Sequence, residues 1–188
     1  GPAAMETKLD ELFAASSQTT GRHQSDITGL IGQYAHGNEP SHHVAYLYSY
    51  AGKAWKTQKM ARRIMDDMYW NAPDGLSGNE DCGQMSAWYV LSAMGFYPVN
   101  PADGIFVFGS PIFDEVKLNL ENGNVFTVRC IGNGKENVYI EKISLNGANY
   151  TKSYIDYKDI MQGGVLEFTM SSKPNKEFGV DMPNRPPS

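Results

Sequence analysis

Cysteine is scarce in this chain, with only Cys82 and Cys130 among 188 residues. Two thiols cannot form a disulfide framework and their spacing matches no metal motif, so both are expected to be free. Long apolar runs are missing as well, which excludes a helical membrane span, and no charged-then-apolar leader opens the chain. Gly1-Pro2 reads instead as the scar of a protease cleavage. Positive charge is in deficit: 16 lysines and arginines against 21 aspartates and glutamates leave a formal net charge of -5. Apart from a short cluster at Arg62-Arg63 the basic residues are scattered, so nucleic acid is not an expected partner. The chain does have 41% hydrophobic and 12% aromatic residues. That is an ordinary globular composition, enough for one substantial core or two small ones.

Apolar spacing predicts an amphipathic helix from Met5 to about Ser16, carried by Leu9, Leu12 and Phe13. A polar, glycine-punctuated stretch, TTGRHQSDITGLIGQYAHGNEP, follows and is too long for a simple turn. A second helix is expected from Ser41 through HHVAYLYSYAG, and a third over AWKTQKMARRIMDDMYW packs antiparallel to it. QMSAWYVLSAMG is apolar nearly all the way round, as in a helix enclosed by others, and Gly95 ends it. From Gly104 the period changes to alternation. IFVFG, EVKLNL, VFTVRCI, NVYIEKISL and VLEFTM read as strands, with Asn122-Gly123 and Asn146-Gly147 as hairpin signals. The fold class is therefore α+β, with helices over residues 1–101 and an antiparallel β-sandwich over 102–180. The proline-rich residues 181–188 are expected to be disordered.

Polar chemistry concentrates in two loops, each running into an apolar helix: Gly37-Asn38-Glu39-Pro40-Ser41-His42-His43 and Gly78-Asn79-Glu80-Asp81-Cys82-Gly83-Gln84. Carboxylate, amide and backbone oxygens at flexible glycines suit a hard cation such as calcium, although the spacing is not that of an EF-hand. Glu80 and Asp81 have two readings, as site carboxylates or as acids stabilising the positive end of a helix. His42 and His43 are adjacent and point apart on a helix, so one of them is better placed for a structural or sugar-contacting role than for transition-metal ligation. His23 and His36 carry less information. Two separated carboxylates across a cleft would suit glycoside hydrolysis. Tyr34, Tyr46, Trp70, Trp88 and Tyr89 could stack on a sugar, with core packing the alternative, favoured for Trp88 and Tyr89.

GLIGQYAHGNEPSHHVAYLY, PDGLSGNEDCGQMSAWYVLSAMGFYPVNP and GSPIFDEVKL, in that order, resemble the C-terminal portion of the bacterial α-mannosidases of glycoside hydrolase family 92. The resemblance implies an exo-acting, inverting enzyme that removes α-linked, often α-1,2-linked, mannose with the help of calcium on the sugar hydroxyls. It matches Asn38 and Glu39 to the metal and terminal-sugar site and Asp81 to the general base. Glu39, His42, His43, Asn79 and Glu80 are the implied sugar contacts. Position 79 departs from the pattern, since members of the family can carry aspartate where this chain has Asn79. The family also implies an (α/α)6 toroid, of which residues 1–101 would be the last helices, and a glutamate acid upstream of them. No residue here matches that acid, so the chain alone is expected to be inactive, associating with the missing N-terminal part or with itself. A bacterial enzyme of this kind is exported to the periplasm or cell surface. The alternative from another class is a non-catalytic carbohydrate-binding or scaffold module, which leaves the base-bearing loop unexplained; a different toroid glycosidase or lyase is a further rival.

Overall fold

A computed structural model of the chain describes residues 1–21, 24 and 27–187. His23 and Ser188 therefore lie outside the described residues. Helix α1 (Pro2–Ala14) starts with proline in its first turn, where a missing N–H costs no helical bond, and buries Leu9 and Phe13. The glycine-rich stretch after it contains a small hairpin, β1 (Leu30–Ile31) and β2 (Tyr34–Ala35). Its turn lies directly on the helix backbone: the Gln33 N–H donates to the Leu12 carbonyl at 2.9 Å. Gly32 has φ +62°, and a Cβ there would sit 2.3 Å from the Leu12 oxygen, so only glycine fits.

The helix expected from Ser41 does not form as one piece. The chain makes 3-10 turns at Glu39–Ser41 and Val44–Tyr46 and then one helical turn, α2 (Leu47–Tyr50). The reason is a competing hydrogen bond. The Tyr46 N–H donates to the His43 carbonyl at 3.0 Å, in i→i+3 fashion, which frees the His42 carbonyl for the indole N–H of Trp88 at 3.0 Å. Helices α3 (Ala54–Met68) and α4 (Gln84–Met94) follow the predicted spans. Gly95 at φ +104° ends α4, as its sequence position requires. Only one face of α4 is covered: Met85, Trp88, Ser92 and Ala93 are buried, while Val90 remains 54% exposed.

Strands β3 (Phe96–Tyr97), β4 (Ile105–Phe108), β5 (Glu115–Asn119), β6 (Val125–Ile131), β7 (Tyr139–Leu145), β8 (Ala148–Tyr150) and β9 (Tyr154–Asp156) lead to a short helix α5 (Tyr157–Met161) and β10 (Gly164–Ser171). They form a five-stranded sheet in the order β5-β6-β10-β7-β8 and a three-stranded sheet β3-β4-β9. The larger sheet is mixed, not purely antiparallel. β10 enters between two earlier strands, antiparallel to β7 and parallel to β6, with Leu166 opposite Leu145 on one side and Val128 on the other. The two sheets share a core in which Phe108 meets Phe168 edge-on at 5.2 Å. Asn146 (φ +52°) and Gly147 (φ +79°) make the β7–β8 turn left-handed at both residues, the conformation that matches strand twist.

Residues 181–187, expected to be disordered, are instead tied down. Met182–Asn184 forms a 3-10 turn, the Asn184 carbonyl accepts the Ser153 N–H at 2.8 Å, and Arg185 Nε donates to the Val180 carbonyl at 2.7 Å. Proline content misleads here because the segment's polar backbone groups find partners in the loop before β9.

Arg62 of α3 is 6% exposed and clamps the helix to the β-sheet loops by donating to the Pro111 and Gly134 carbonyls. Arg62→Ala is expected to destabilise the fold by about 2–4 kcal/mol, through a cavity and the loss of the donor to one buried and one half-buried carbonyl. Arg62→Met fills the space and should cost less. Denaturant midpoints that do not differ from the parent chain would remove the clamp from the account.

Candidate active site

The two polar loops meet through glycine. An added Cβ on Gly78 would lie 3.2 Å from the Gly37 Cα, and one on Gly37 would strike the Thr28 hydroxyl at 2.1 Å. Thr28 is thus wedged between them, its Oγ1 buried and without a hydrogen-bond partner among the described atoms. Side chains larger than hydrogen at 37 and 78 would force the loops apart, which explains why each motif opens on glycine.

Within the second loop the structure separates its two acids. Glu80 caps α4: one carboxylate oxygen accepts the Ser86 backbone N–H at 2.9 Å and the other accepts its hydroxyl at 2.7 Å. These bonds satisfy one of the helix's open N–H groups and place negative charge at the positive end of α4. Glu80, expected as a sugar contact, is engaged here as a helix cap. Asp81 is exposed and its carboxylate takes no part in that cap. Asn79 is exposed beside it.

The backbone at Asp81 is unusual. Asp81 (φ +47°), Cys82 (φ +57°) and Gly83 (φ +93°) are consecutive left-handed residues. For the two non-glycine residues this costs on the order of 1 kcal/mol each, and such outliers persist only where the surroundings hold them. Here the holding bonds come from α4, whose Gln84 N–H donates to the Asp81 carbonyl at 3.2 Å and whose Met85 N–H donates to the Glu80 carbonyl at 3.2 Å. Cys82, free and exposed, tops the turn, whereas the free thiol of Cys130 is buried and pushed up to about 12 by that burial.

In the first loop, Asn38 precedes the 3-10 turn that carries Glu39, and its carbonyl accepts the Ser41 N–H at 2.9 Å. Glu39 and His43 line an open pocket of about 230 Å³, together with Gln84 and Tyr97. His42 also borders it, but its ring is 1% exposed and fully engaged. Nε2 lies 3.0 Å from the His36 carbonyl, which can only accept, so Nε2 carries the proton. Nδ1 is therefore the acceptor and takes an N–H of the Gln84 side chain at 3.1 Å. Both nitrogens are spent inside the protein, so the expectation that His42 hydrogen-bonds a sugar is corrected to an internal role. His43 is the partly exposed member of the pair.

Behind this loop His36, which carried little signal in the sequence, sits at the centre of a buried aromatic cage. It stacks on His42 at 4.6 Å, meets Trp88 edge-on at 4.5 Å, and bonds the hydroxyls of Tyr34 at 2.8 Å and Tyr69 at 2.6 Å. Burial, and next the proximity of His42, push His36 down to about 3, and burial also lowers His42. Both rings are neutral near neutral pH. Of the aromatic residues that could stack on sugar, Tyr34, Tyr46 and Trp88 are core residues, while Trp70 is 51% exposed and Tyr89 is half-buried. Gln84 and Thr28 were not singled out by residue type; both are ordinary polar residues whose importance comes from what the fold sets against them.

Among the described residues no helix is long and apolar enough to cross a membrane, and no group of three His, Cys, Asp or Glu side chains converges as a metal site. Residues 1–172 match the sequence model of the glycosyl hydrolase family 92 catalytic domain. The chain is similar to a family GH92 α-mannosidase from Bacteroides thetaiotaomicron solved in complex with mannoimidazole, at 45% identity and a TM-score of 0.95, covering 100% of this chain and 25% of that one. A family GH92 inverting mannosidase of the same organism matches at 39% identity and a TM-score of 0.85, over 99% of this chain and 26% of that one. An uncharacterized secreted glycosidase of Arthroderma benhamiae is 34% identical over 155 residues, 81% of this chain and 20% of its own length. The chain thus spans about a quarter or less of the length of these relatives.

Proposed function

Because the chain belongs to glycosyl hydrolase family 92, we propose that it is the C-terminal part of an exported, exo-acting α-mannosidase that releases α-linked, most simply α-1,2-linked, mannose with inversion. Residues 1–101 would complete an (α/α)6 barrel and 102–180 the adjoining β-domain. The observation that supports a site here is the meeting of the Gly37 and Gly78 loops, of which the second carries the exposed Asp81 while its Glu80 is occupied in capping α4. In this reading Asp81 accepts the proton of a water that attacks the anomeric carbon, and a carboxylic acid from outside the chain protonates the leaving oxygen. An inverting pair stands roughly 6.5–9.5 Å apart to leave room for that water. Glu39 and His43, on the pocket wall, and Asn79 would orient the terminal sugar.

Calcium is consistent with the donors present. Asn38 and Glu39 offer an amide oxygen and a carboxylate, both hard ligands, but only part of the six to eight oxygens that calcium takes. The remaining oxygens would come from sugar hydroxyls, water and protein beyond this chain. Bound there, the ion would supply positive charge to the mannose hydroxyls. Exhaustive chelation of the full-length enzyme is expected to abolish release of mannose and added calcium to restore it, with the first-formed product of β configuration by NMR. Equal rates in chelator and in calcium would remove the metal, and a first-formed α anomer would remove inversion.

A further inference from the structure

Gln84 joins the second loop to the first by a side-chain hydrogen bond. Its backbone N–H bonds the Asp81 carbonyl at 3.2 Å, at the start of the left-handed run. Both hydrogens of its side-chain amide point the other way, to His42 Nδ1 at 3.1 Å and to the Tyr97 hydroxyl at 3.2 Å. His42 is in turn fixed by its Nε2–H on the His36 carbonyl and by its own carbonyl on the Trp88 indole, so the amide is anchored to an immobile partner. The tautomer of His42 makes the arrangement directional, because an acceptor at Nδ1 demands a donor from position 84.

We infer that Gln84 is a positioning residue, which holds the Asp81 carboxylate at a set distance from the Glu39–His43 loop and so from the sugar that loop receives. The inference rests on the reading of Asp81 as general base. The left-handed run is held to α4 by backbone bonds, so without the amide bond to His42 the start of α4 would shift together with that run, carrying the Asp81 side chain away from its water. Misplacement of a reacting group by about 1 Å can cost on the order of 10²-fold in rate.

The test uses the full-length enzyme and an aryl α-mannoside with a good leaving group, assayed with and without azide. Azide is an anion and attacks without giving up a proton: its nitrogen bonds the anomeric carbon as the carbon–oxygen bond breaks and the aryloxide departs with the electron pair. It therefore needs no base. Gln84→Met keeps length but donates nothing, and is expected to lose about 10²-fold in kcat with water while KM stays within about threefold. Azide should return at least about tenfold of that rate, giving a β-mannosyl azide. If Gln84→Met is insoluble, Gln84→Glu carries the same expectation, since it keeps the shape and sets a carboxylate oxygen against the Nδ1 lone pair. Unchanged kcat in the variant, or a loss that azide does not relieve, would overturn the positioning role. Asp81→Asn is run beside it: full turnover in that variant would instead overturn the base assignment, and the inference with it.

Discussion

Asp81→Asn in the full-length enzyme is expected to lower kcat by about 10²- to 10⁴-fold, the usual worth of a general base, with substrate binding nearly unchanged. The amide has the shape of the carboxylate but cannot take a proton from water at neutral pH. The fold should tolerate the change, because the Asp81 side chain is exposed and the bond that holds its turn is made by its backbone carbonyl. Glu80→Gln is the informative comparison. It weakens the cap on Ser86 and should act on stability, with about 1 kcal/mol lost and kcat altered far less. Steady-state kinetics and thermal midpoints on both variants decide between the two acids. Near-normal turnover in Asp81→Asn, or a kinetic loss confined to Glu80→Gln, would overturn the proposed reading of Asp81 as the base.

The second large effect concerns the chain by itself. On the proposed reading, which places the acid opposite Asp81 outside these residues, it is expected to show no measurable α-mannoside hydrolysis; the solved relatives it matches are about four times as long. Its surface points the same way. Val90 on α4 and Trp70 in the loop before it are 54% and 51% exposed, and Ala87 beside Val90 is exposed as well. An apolar helix bare on one side tends to find cover, so self-association in solution should accompany the missing activity. Mass by light scattering and an assay beside the full-length enzyme test both. A monodisperse monomer with calcium-stimulated turnover close to that of the longer protein would place the acid inside these residues.

Local signals were legible wherever a short stretch of chain settles its own conformation. Gly95 ends α4 because the residue there must be left-handed, and Asn146-Gly147 makes a hairpin for the same reason at two successive positions. The apolar spacing of Trp55, Met60, Ile64 and Met68 marks α3 without help from any partner, although Ala61, Ile64, Met65 and Met68, not Trp55 and Met60, are its buried apolar residues in that stretch. Where a distant group competes for a backbone atom, the same reasoning misses. The Trp88 indole takes the His42 carbonyl from 46 residues away, and the expected helix breaks into a 3-10 turn and one helical turn. β10 inserts in parallel beside β6, a pairing that depends on the path of α5 and β9 and leaves no mark in the alternation of β10 itself. The tail is ordered because Ser153 and Thr151 bond Asn184, three decades of sequence apart from it.

For the site the division is similar. The sequence by itself determined which residues are available: two oxygen-rich loops, each opening on glycine and each feeding a helical segment, with Asp81 and Glu39 among them. It did not decide which acid of the Glu80-Asp81 pair is free, which histidine of the His42-His43 pair is buried, or that the loops touch. Those are questions of direction and distance between groups far apart in the chain. Only the tertiary structure answers them, by turning Glu80 onto Ser86, closing His42 between His36 and Gln84, and pressing Gly37 against Gly78, since a hydrogen bond or a steric contact exists only once both partners have been placed.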